Sequence, residues 1–385
     1  MAMFSLCQAG CLRWRSPVIT IGTALAVALA VTPGPASAGD AFDDPDTVLK
    51  RIAFGSCAHQ DQPQPIWDSV VAAEPDLFIF LGDNIYADTE DMEVMRARYA
   101  QLGGQPGYQE LLATCPVIAT WDDHDYGAND AGAEYPMKRE SQREFLDFFG
   151  AAEDDPRRQR DGIYMAWTYG PEGRRVQVIL LDGRFFRSPL KGGFEPGEPG
   201  EGVYGRYRPN PDPEATMLGE AQWEWLEQQL RQPADLRIIG SGVQVVADQH
   251  GSETWGNFPL ERRRLLNLIR ETGAGGVVFI SGDRHLAEMS KVGADADEGV
   301  GYPLLDVTSS SLNRPSGNFT PAGTRFMNEI NPHRVGLVYF DINFGTIHID
   351  WEQEDPVVRL QVRDGEGGVV LQQRLRLSDI QPPAP

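Results

Sequence analysis

Four short apolar runs, each stopped by a turn rich in ionisable groups, constrain this chain more than any other feature. The runs span 51–54, 77–81, 116–120 and 277–280. They lead into Phe54-Gly55-Ser56-Cys57, Gly82-Asp83-Asn84-Ile85-Tyr86, Trp121-Asp122-Asp123-His124-Asp125 and Ser281-Gly282-Asp283-Arg284-His285. Short runs rich in Val, Ile and Phe, set between helical segments, read as buried parallel strands. In an open α/β sheet, the loops leaving the carboxyl ends of the strands build the site. The four turns are therefore expected at one rim. So many carboxylates, imidazoles and a thiol cannot share a rim unpaired, because like charges repel and burial penalises charge. A metal centre is the simplest resolution.

From Val48 to Leu286 strand-like and helix-like runs alternate. Residues 65–73, 137–149, 219–230 and 259–269 carry apolar side chains at helical spacing, and 176–181 and 237–246 are further strand candidates. Such alternation argues an α/β core. After Tyr302 the runs 303–308, 335–343, 346–351, 357–362 and 369–375 are strand-like and closely spaced, with Gly345 read as a tight turn. They predict a second antiparallel or mixed sheet. Two such sheets, packed together and flanked by helices, make a four-layer α/β/β/α arrangement. The expected organisation is one domain over 48–377, a leader over 39–47 and a tail over 378–385. The stretch 188–216 is crowded with Gly and Pro and holds Tyr204, Arg206, Tyr207 and Arg208. A loop this long is either a lid or substrate wall, or a plain insertion.

Asp83 is the best candidate for a shared metal ligand, since Gly82 lets the backbone turn tightly to present it. Tyr86, three residues on, can point to the same ion. A phenolate beside the Cys57 thiolate suits iron better than magnesium. In the third motif, alternate residues face one site if the segment is extended. Asn129, just beyond, offers a neutral oxygen suited to Ca²⁺ or another hard cation. Asp283 and His285 are one residue apart, and His285 can ligate a metal or protonate a leaving group. Arg184 and Arg187 follow a strand and read either as phosphate forks or as surface ion pairs. The run Arg262-Arg263-Arg264 reads as a solvated helix face, His348 as structural, and His250 as a lesser approach to the same rim. Neither a nucleophile elbow nor a phosphate-binding P-loop occurs.

A formal net charge of −22 argues against nucleic acid and anionic lipid as partners. It leaves anionic substrates open, because a bound metal can dominate its own site. At the N-terminus, Arg13 and Arg15 precede an apolar stretch over 18–31 and then Ala36-Ser37-Ala38. This is the pattern of a signal peptide over 1–38; an uncleaved anchor is the alternative. The apolar run falls short of the roughly 20 residues of a bilayer span. A periplasmic or extracellular protein without a membrane span is expected. Cys7 and Cys11 would leave with the signal, and Cys57 and Cys115 remain. Cys57 is read as a thiolate ligand in preference to a disulfide with Cys115, which in a parallel sheet sits at the opposite rim.

Together and in this order, FGSC (54–57), GDNIYAD (82–88), WDDHDYGAND (121–130), LLDGRFFR (180–187), LGEAQWEWL (218–226), ETWGNFPLERRRLL (253–266) and SGDRH (281–285) resemble the PhoD-like alkaline phosphatases. These are a branch of the calcineurin-like metallophosphoesterases. The resemblance implies the four-layer fold and hydrolysis of phosphate esters, with phosphorylated small molecules as substrates. It implies Fe³⁺ held by Cys57, Asp83, Tyr86 and Asp283. It also implies one or more Ca²⁺ around Asp83, Asn129 and the acids of the third motif, Asp123 among them. His285, His124 and Arg184 then become candidates for phosphate or leaving-group contacts. A phosphodiesterase or phospholipase D-like enzyme, and a metal-stabilised binding module without catalysis, are the rival readings.

Overall fold

The structure is a computed structural model that describes residues 45–193, 206–318 and 329–383. The expected signal segment, most of the leader, and Tyr204 lie outside the described residues. Among the described residues, no helix is long and apolar enough to cross a membrane.

In chain order the elements are β1 (Arg51–Gly55), α1 (Ile66–Ala72), β2 (Leu77–Leu81), α2 (Met92–Gly103), α3 (Pro106–Thr114), β3 (Val117–Thr120), α4 (Asp123–Tyr126), α5 (Lys138–Phe148), β4 (Met165–Tyr169), β5 (Val176–Leu180), α6 (Gly219–Leu230), β6 (Leu236–Ser241), α7 (Pro259–Thr272), β7 (Val277–Ser281), β8 (Ala287–Val292), β9 (Leu304–Ser309), β10 (Asn343–Asp350), β11 (Val357–Asp364) and β12 (Val369–Arg376). They form two mixed six-stranded sheets, ordered β12-β11-β10-β1-β2-β3 and β4-β5-β6-β7-β9-β8. β1, β2 and β3 are parallel to one another, as are β5, β6, β7 and β9.

Strand alternation explains the layers. Ile52 and Phe54, and Leu77, Ile79 and Leu81, point into the core shared with the second sheet. Ala53, Phe78 and Phe80 point the other way, into a core with Trp67 of α1, Met95 of α2, Tyr108 of α3 and Phe145 of α5. β2 is apolar at every position because both its faces are covered. Trp223 and Leu226 of α6 and Leu265 and Ile269 of α7 pack in the same cluster as the strands of the second sheet. The order helix, sheet, sheet, helix is the expected α/β/β/α sandwich.

Several local expectations are corrected. Gly345 is not a turn but the interior of β10, paired with Phe54; a Cβ there would lie 2.1 Å from the Phe54 ring. Residues 335–342 form no continuous strand; isolated bridges to β8 are made by Arg334 and Tyr339. The strand expected over 237–246 ends at Ser241. α2 and α3 escape a periodicity reading because few apolar positions, such as Met95, Tyr99 and Leu102, are spread among polar ones. Within the expected tail, Ile380 is fully buried, and its carbonyl accepts from Gly276 N at 2.7 Å. Arg262 is likewise buried, with its guanidinium donating to the Val245 and Val246 carbonyls and paired with Glu298. It is a strut between α7 and the loop after β6, not part of a solvated face.

Candidate metal centre

The parallel strands bring their carboxyl ends to one rim, and the turns there are stitched together. The Cys57 amide donates to the Gly82 carbonyl at 3.3 Å and the Ala58 amide to the Asp83 carbonyl at 2.9 Å. Gly82 has φ +97°, and a Cβ on it would sit 2.3 Å from the Asp122 Cβ. This is the tight approach that only glycine permits. The third motif is not extended as expected. Asp123–Tyr126 is a single helical turn, and Asp122 and Asp125 cap it reciprocally. Asp125 also accepts from Asn84 Nδ2 at 2.6 Å and from the Asp83 amide at 3.2 Å. It therefore clamps the turn after β2 to the turn after β3.

Backbone strain concentrates at this rim. Among the described residues, seven non-glycine residues have positive φ: Cys57, Glu74, Asp83, Asp88, Asp130, Asp283 and His285. All but Glu74 belong to the rim. Left-handed backbone costs non-glycine residues free energy and persists where the surroundings enforce it, commonly at functional sites.

Among the described residues, three groups of side chains have ligand atoms within 4.8 Å of one another: Cys57, Asp83 and His285; Asp83, Asp123 and His124; and Asp123, Asp130 and Glu253. Asp83 is common to the first two, Asp123 to the last two. Tyr86 joins the first by donating its hydroxyl to Asp83 Oδ2 at 3.0 Å. The other Asp83 oxygen, Oδ1, is buried with no hydrogen-bond partner, as is Glu253 Oε2. Buried carboxylate oxygens are normally satisfied, so an orphan between two ligand groups fits a cation. The donor set fits as well, with sulfur, phenol and imidazole on one side of Asp83 and mostly carboxylate oxygen on the other.

The electrostatics agree. Burial, then the neighbouring Cys57, pushes the Asp83 carboxyl well above its ordinary range. Burial pushes the Cys57 thiol up to about 11 and Asp283 up to about 7. Burial thus disfavours the charged forms that a cation would stabilise, since metal ligands must be deprotonated.

The two rim histidines differ. His285 Nδ1 lies 2.7 Å from the Arg314 carbonyl. A carbonyl only accepts, so Nδ1 carries the hydrogen and Nε2 keeps the lone pair. Burial pushes this ring down to about 4, so it is a neutral imidazole. Burial also opposes charge on His124, but Asp83, Asp123 and Asp88 outweigh it and hold that ring up at about 10. Its Nδ1 rests 2.7 Å from Asp88 Oδ2.

Arg184 departs from the expected phosphate fork. Its side chain is 1% exposed and pairs with Asp122 Oδ1 and with Glu253 Oε1 at 2.6 Å. Arg187, also buried, reaches the same Glu253 oxygen at 3.2 Å. Both are struts beneath the rim. Asn129 is exposed and lines a hollow of about 150 Å³ with Asp123, His124, Asp130, Asp283 and His285. Asp283 lines it without entering any of the three groups. Cys57 and Cys115 are free, buried thiols.

Three contributors were not singled out from the sequence: Asp88, Asp130 and Glu253. Each lies inside a quoted motif, so membership of those motifs was the available signal. Of the Gly/Pro-rich loop, the described foot walls the hollow. Arg206 pairs with Asp130 at 2.7 Å, and Tyr207 donates its hydroxyl to the same carboxylate.

The chain is 24% identical over 288 residues to alkaline phosphatase D of Bacillus subtilis, covering 64% of this chain and 48% of that protein. It thus spans about half the length of this curated relative. A solved structure titled as that of PhoD superposes with a TM-score of 0.63 at 17% identity, covering 88% of this chain and 73% of the other. GAP50, described as the anchor in the inner membrane complex of Plasmodium, superposes at 0.52 with 12% identity, over 86% of this chain and 89% of that one. At these identities the two superpositions speak for the fold alone. The profile of the PhoD-like phosphatases matches residues 52–360, most of the chain, and the protein belongs to the PhoD-like phosphatase family.

Proposed function

We propose that the protein is a metal-dependent phosphoric ester hydrolase that acts on phosphate monoesters and is exported with cleavage near Ala38. The observation that carries the reading is the orphaned Asp83 Oδ1, buried between two groups of ligand atoms. Cys57, Asp83, Tyr86 and His285 would hold one ion, with Asp283 beside them. Asp83 and Asp123 would hold a second, with Asn129 nearby. The thiolate and phenolate favour Fe³⁺ for the first, and oxygen donors favour Ca²⁺ for the second. Bound there, the metals would supply positive charge that polarises phosphoryl oxygens and lowers the pKa of water.

The chain's own groups take distinct roles in this reading. His285 presents a neutral Nε2, as a ligand does. His124, oriented by Asp88 and kept protonated by the surrounding carboxylates, has a proton to give a leaving alkoxide. Burial pushes the Asp122 and Glu253 carboxyls up, and Arg184 opposes that shift while it holds both in place beneath the turn after β3.

Turnover of p-nitrophenyl phosphate against bis(p-nitrophenyl) phosphate, combined with metal analysis of the purified protein and its visible spectrum, tests the reading. Preference for the monoester, bound iron and a phenolate or thiolate charge-transfer band are expected. Metal without turnover of either ester would instead favour a binding module. N-terminal sequencing of protein from the native host tests export; a chain still starting at Met1 would exclude cleavage.

A further inference from the structure

We infer that the outer face of the first sheet, at the end remote from the rim, carries a docking site for a short linear polyphosphate chain. The inference stands apart from the hydrolase reading, and each can fail without the other.

The strand register builds the site. Ile52 of β1, Ile347 and Ile349 of β10, Val358 and Leu360 of β11 and Leu375 of β12 point into the inter-sheet core. Their neighbours in sequence therefore point outward. Arg51 is paired with His348, His348 with Arg359, and Arg359 with Arg374. Four basic side chains stand side by side, one from each of four adjacent strands. At the usual spacing between strands the row is about 14 Å long. Arg374 is exposed, and the other three are half-buried. Arg363 of β11 adds a fifth basic group, 3.5 Å from His348 Nε2. Its guanidinium is held by neutral oxygens, the Gly367 carbonyl at 3.0 Å and the Gln361 side chain at 2.8 Å.

Like charges directly opposite on neighbouring strands destabilise a sheet, and the Arg359–Arg374 pair is uncompensated. Among the described residues, neither side chain makes a hydrogen bond or an ion pair. Carboxylates stand only at the far end, where Glu74 and Asp76 hold Arg51. His348 registers the resulting field. Burial, then Arg363, Arg359 and Arg51, outweigh Asp76 and hold its imidazole below the ordinary value.

A row of cations fits a row of anions. Guanidinium forks match phosphate oxygens. Linked phosphates can meet neighbouring arginines at once, which a lone phosphate cannot do. The rest of the molecule bounds the size of the partner. With a net charge of −22, a long nucleic acid or an anionic membrane would be repelled over its wider surface. A short chain stays within the row, and charges beyond about 8 Å are screened at physiological ionic strength. Arg51 opens β1 and Cys57 lies just past its end, which sets the row about 20 Å along the strand from the metal centre. None of the three ligand groups lies there, so the face holds a chain without cleaving it.

The test titrates tripolyphosphate by calorimetry into the purified full chain, the double variant Arg359→Gln, Arg374→Gln, and the single variant Arg374→Glu. Any binding at the metal centre is common to all three and cancels in the comparison. The double variant is expected to bind about tenfold to a hundredfold more weakly, the range for a lost hydrogen bond to a charged group. Arg374→Glu should bind as weakly yet melt at or above the wild-type temperature, because it sets an opposite charge against Arg359. On saturation of the wild type, the His348 pKa read by NMR should rise, since the bound anion offsets the three arginines around it. Turnover of p-nitrophenyl phosphate should be the same in all three proteins. Equal tripolyphosphate affinity in all three, an unmoved His348 titration, or orthophosphate binding this face as tightly as tripolyphosphate would overturn the inference. So would duplex DNA or anionic vesicles that bind the wild type more tightly than tripolyphosphate and are lost in the variants, since the face would then serve another polymer. A wild-type protein that turns over neither ester would overturn the hydrolase reading and leave the tripolyphosphate result standing.

Discussion

Replacing Arg184 by Met isolates what the buried ion network contributes. In the folded protein its guanidinium makes two bonds to Asp122 Oδ1 and one to Glu253 Oε1. All three side chains are at most 2% exposed. Arg184→Met keeps the stem but leaves two buried carboxylates with less compensation. Glu253 retains Arg187; among the ion pairs of the described residues Asp122 retains none. Removing one partner of a buried ion pair costs about 3–5 kcal/mol, because the remaining charge is stranded. The expected loss is about 3–5 kcal/mol by urea denaturation at pH 7, with an unchanged slope. The triple variant Arg184→Met, Asp122→Asn, Glu253→Gln removes the stranded charges and should recover more than half of that loss. A single variant within about 1 kcal/mol of wild type would refute the reasoning. It would mean that the carboxylates are neutral in the fold and that Arg184 is no strut.

Asp83→Asn keeps shape but removes the charge shared by two ligand groups. At least one metal equivalent should leave, and turnover should fall by about 10²–10³-fold with circular dichroism unchanged; full metal with near-normal turnover would contradict the assignment. Far from the rim, burial raises the Asp155 carboxyl, but the hydrogen bonds and charge of Arg157 outweigh this and hold it below its ordinary range. Its contribution is therefore present above the unfolded-state pKa of about 3.9 and is lost as pH falls through the lower folded-state value. Asp155→Asn should cost about 1–3 kcal/mol at pH 7, and the gap to wild type should close in strongly acid solution. A gap independent of pH in urea titrations would exclude the ion pair as its source.

The sheets were legible because burial on both faces writes itself as uninterrupted apolar runs, as in Leu77–Leu81. The gathering of four turns at one rim followed from parallel strands alone. What escaped depended on space and on partners distant in sequence. Gly345 looks like a turn until Phe54 is seen opposite it. Arg184 looks like a phosphate fork until Asp122 and Glu253, 62 and 69 residues away, are seen around it. The acids Asp122 to Asp125 suggested an extended alternation, but reciprocal capping by Asp122 and Asp125 winds them into a helical turn.

The left-handed residues divide the molecule's prospects for improvement. A non-glycine residue at positive φ is ordinarily an invitation to engineers, because glycine relieves the strain. At Cys57, Asp83, Asp88, Asp130, Asp283 and His285 the same exchange would delete the side chain that gives the rim its chemistry. Among the described residues, only Glu74, in an exposed turn with a surface partner in Arg51, can be relaxed without that loss. Durability and reactivity thus compete at six positions and part company at one. A lineage pressed toward heat would have to find its gains in the sandwich and leave the rim as it is.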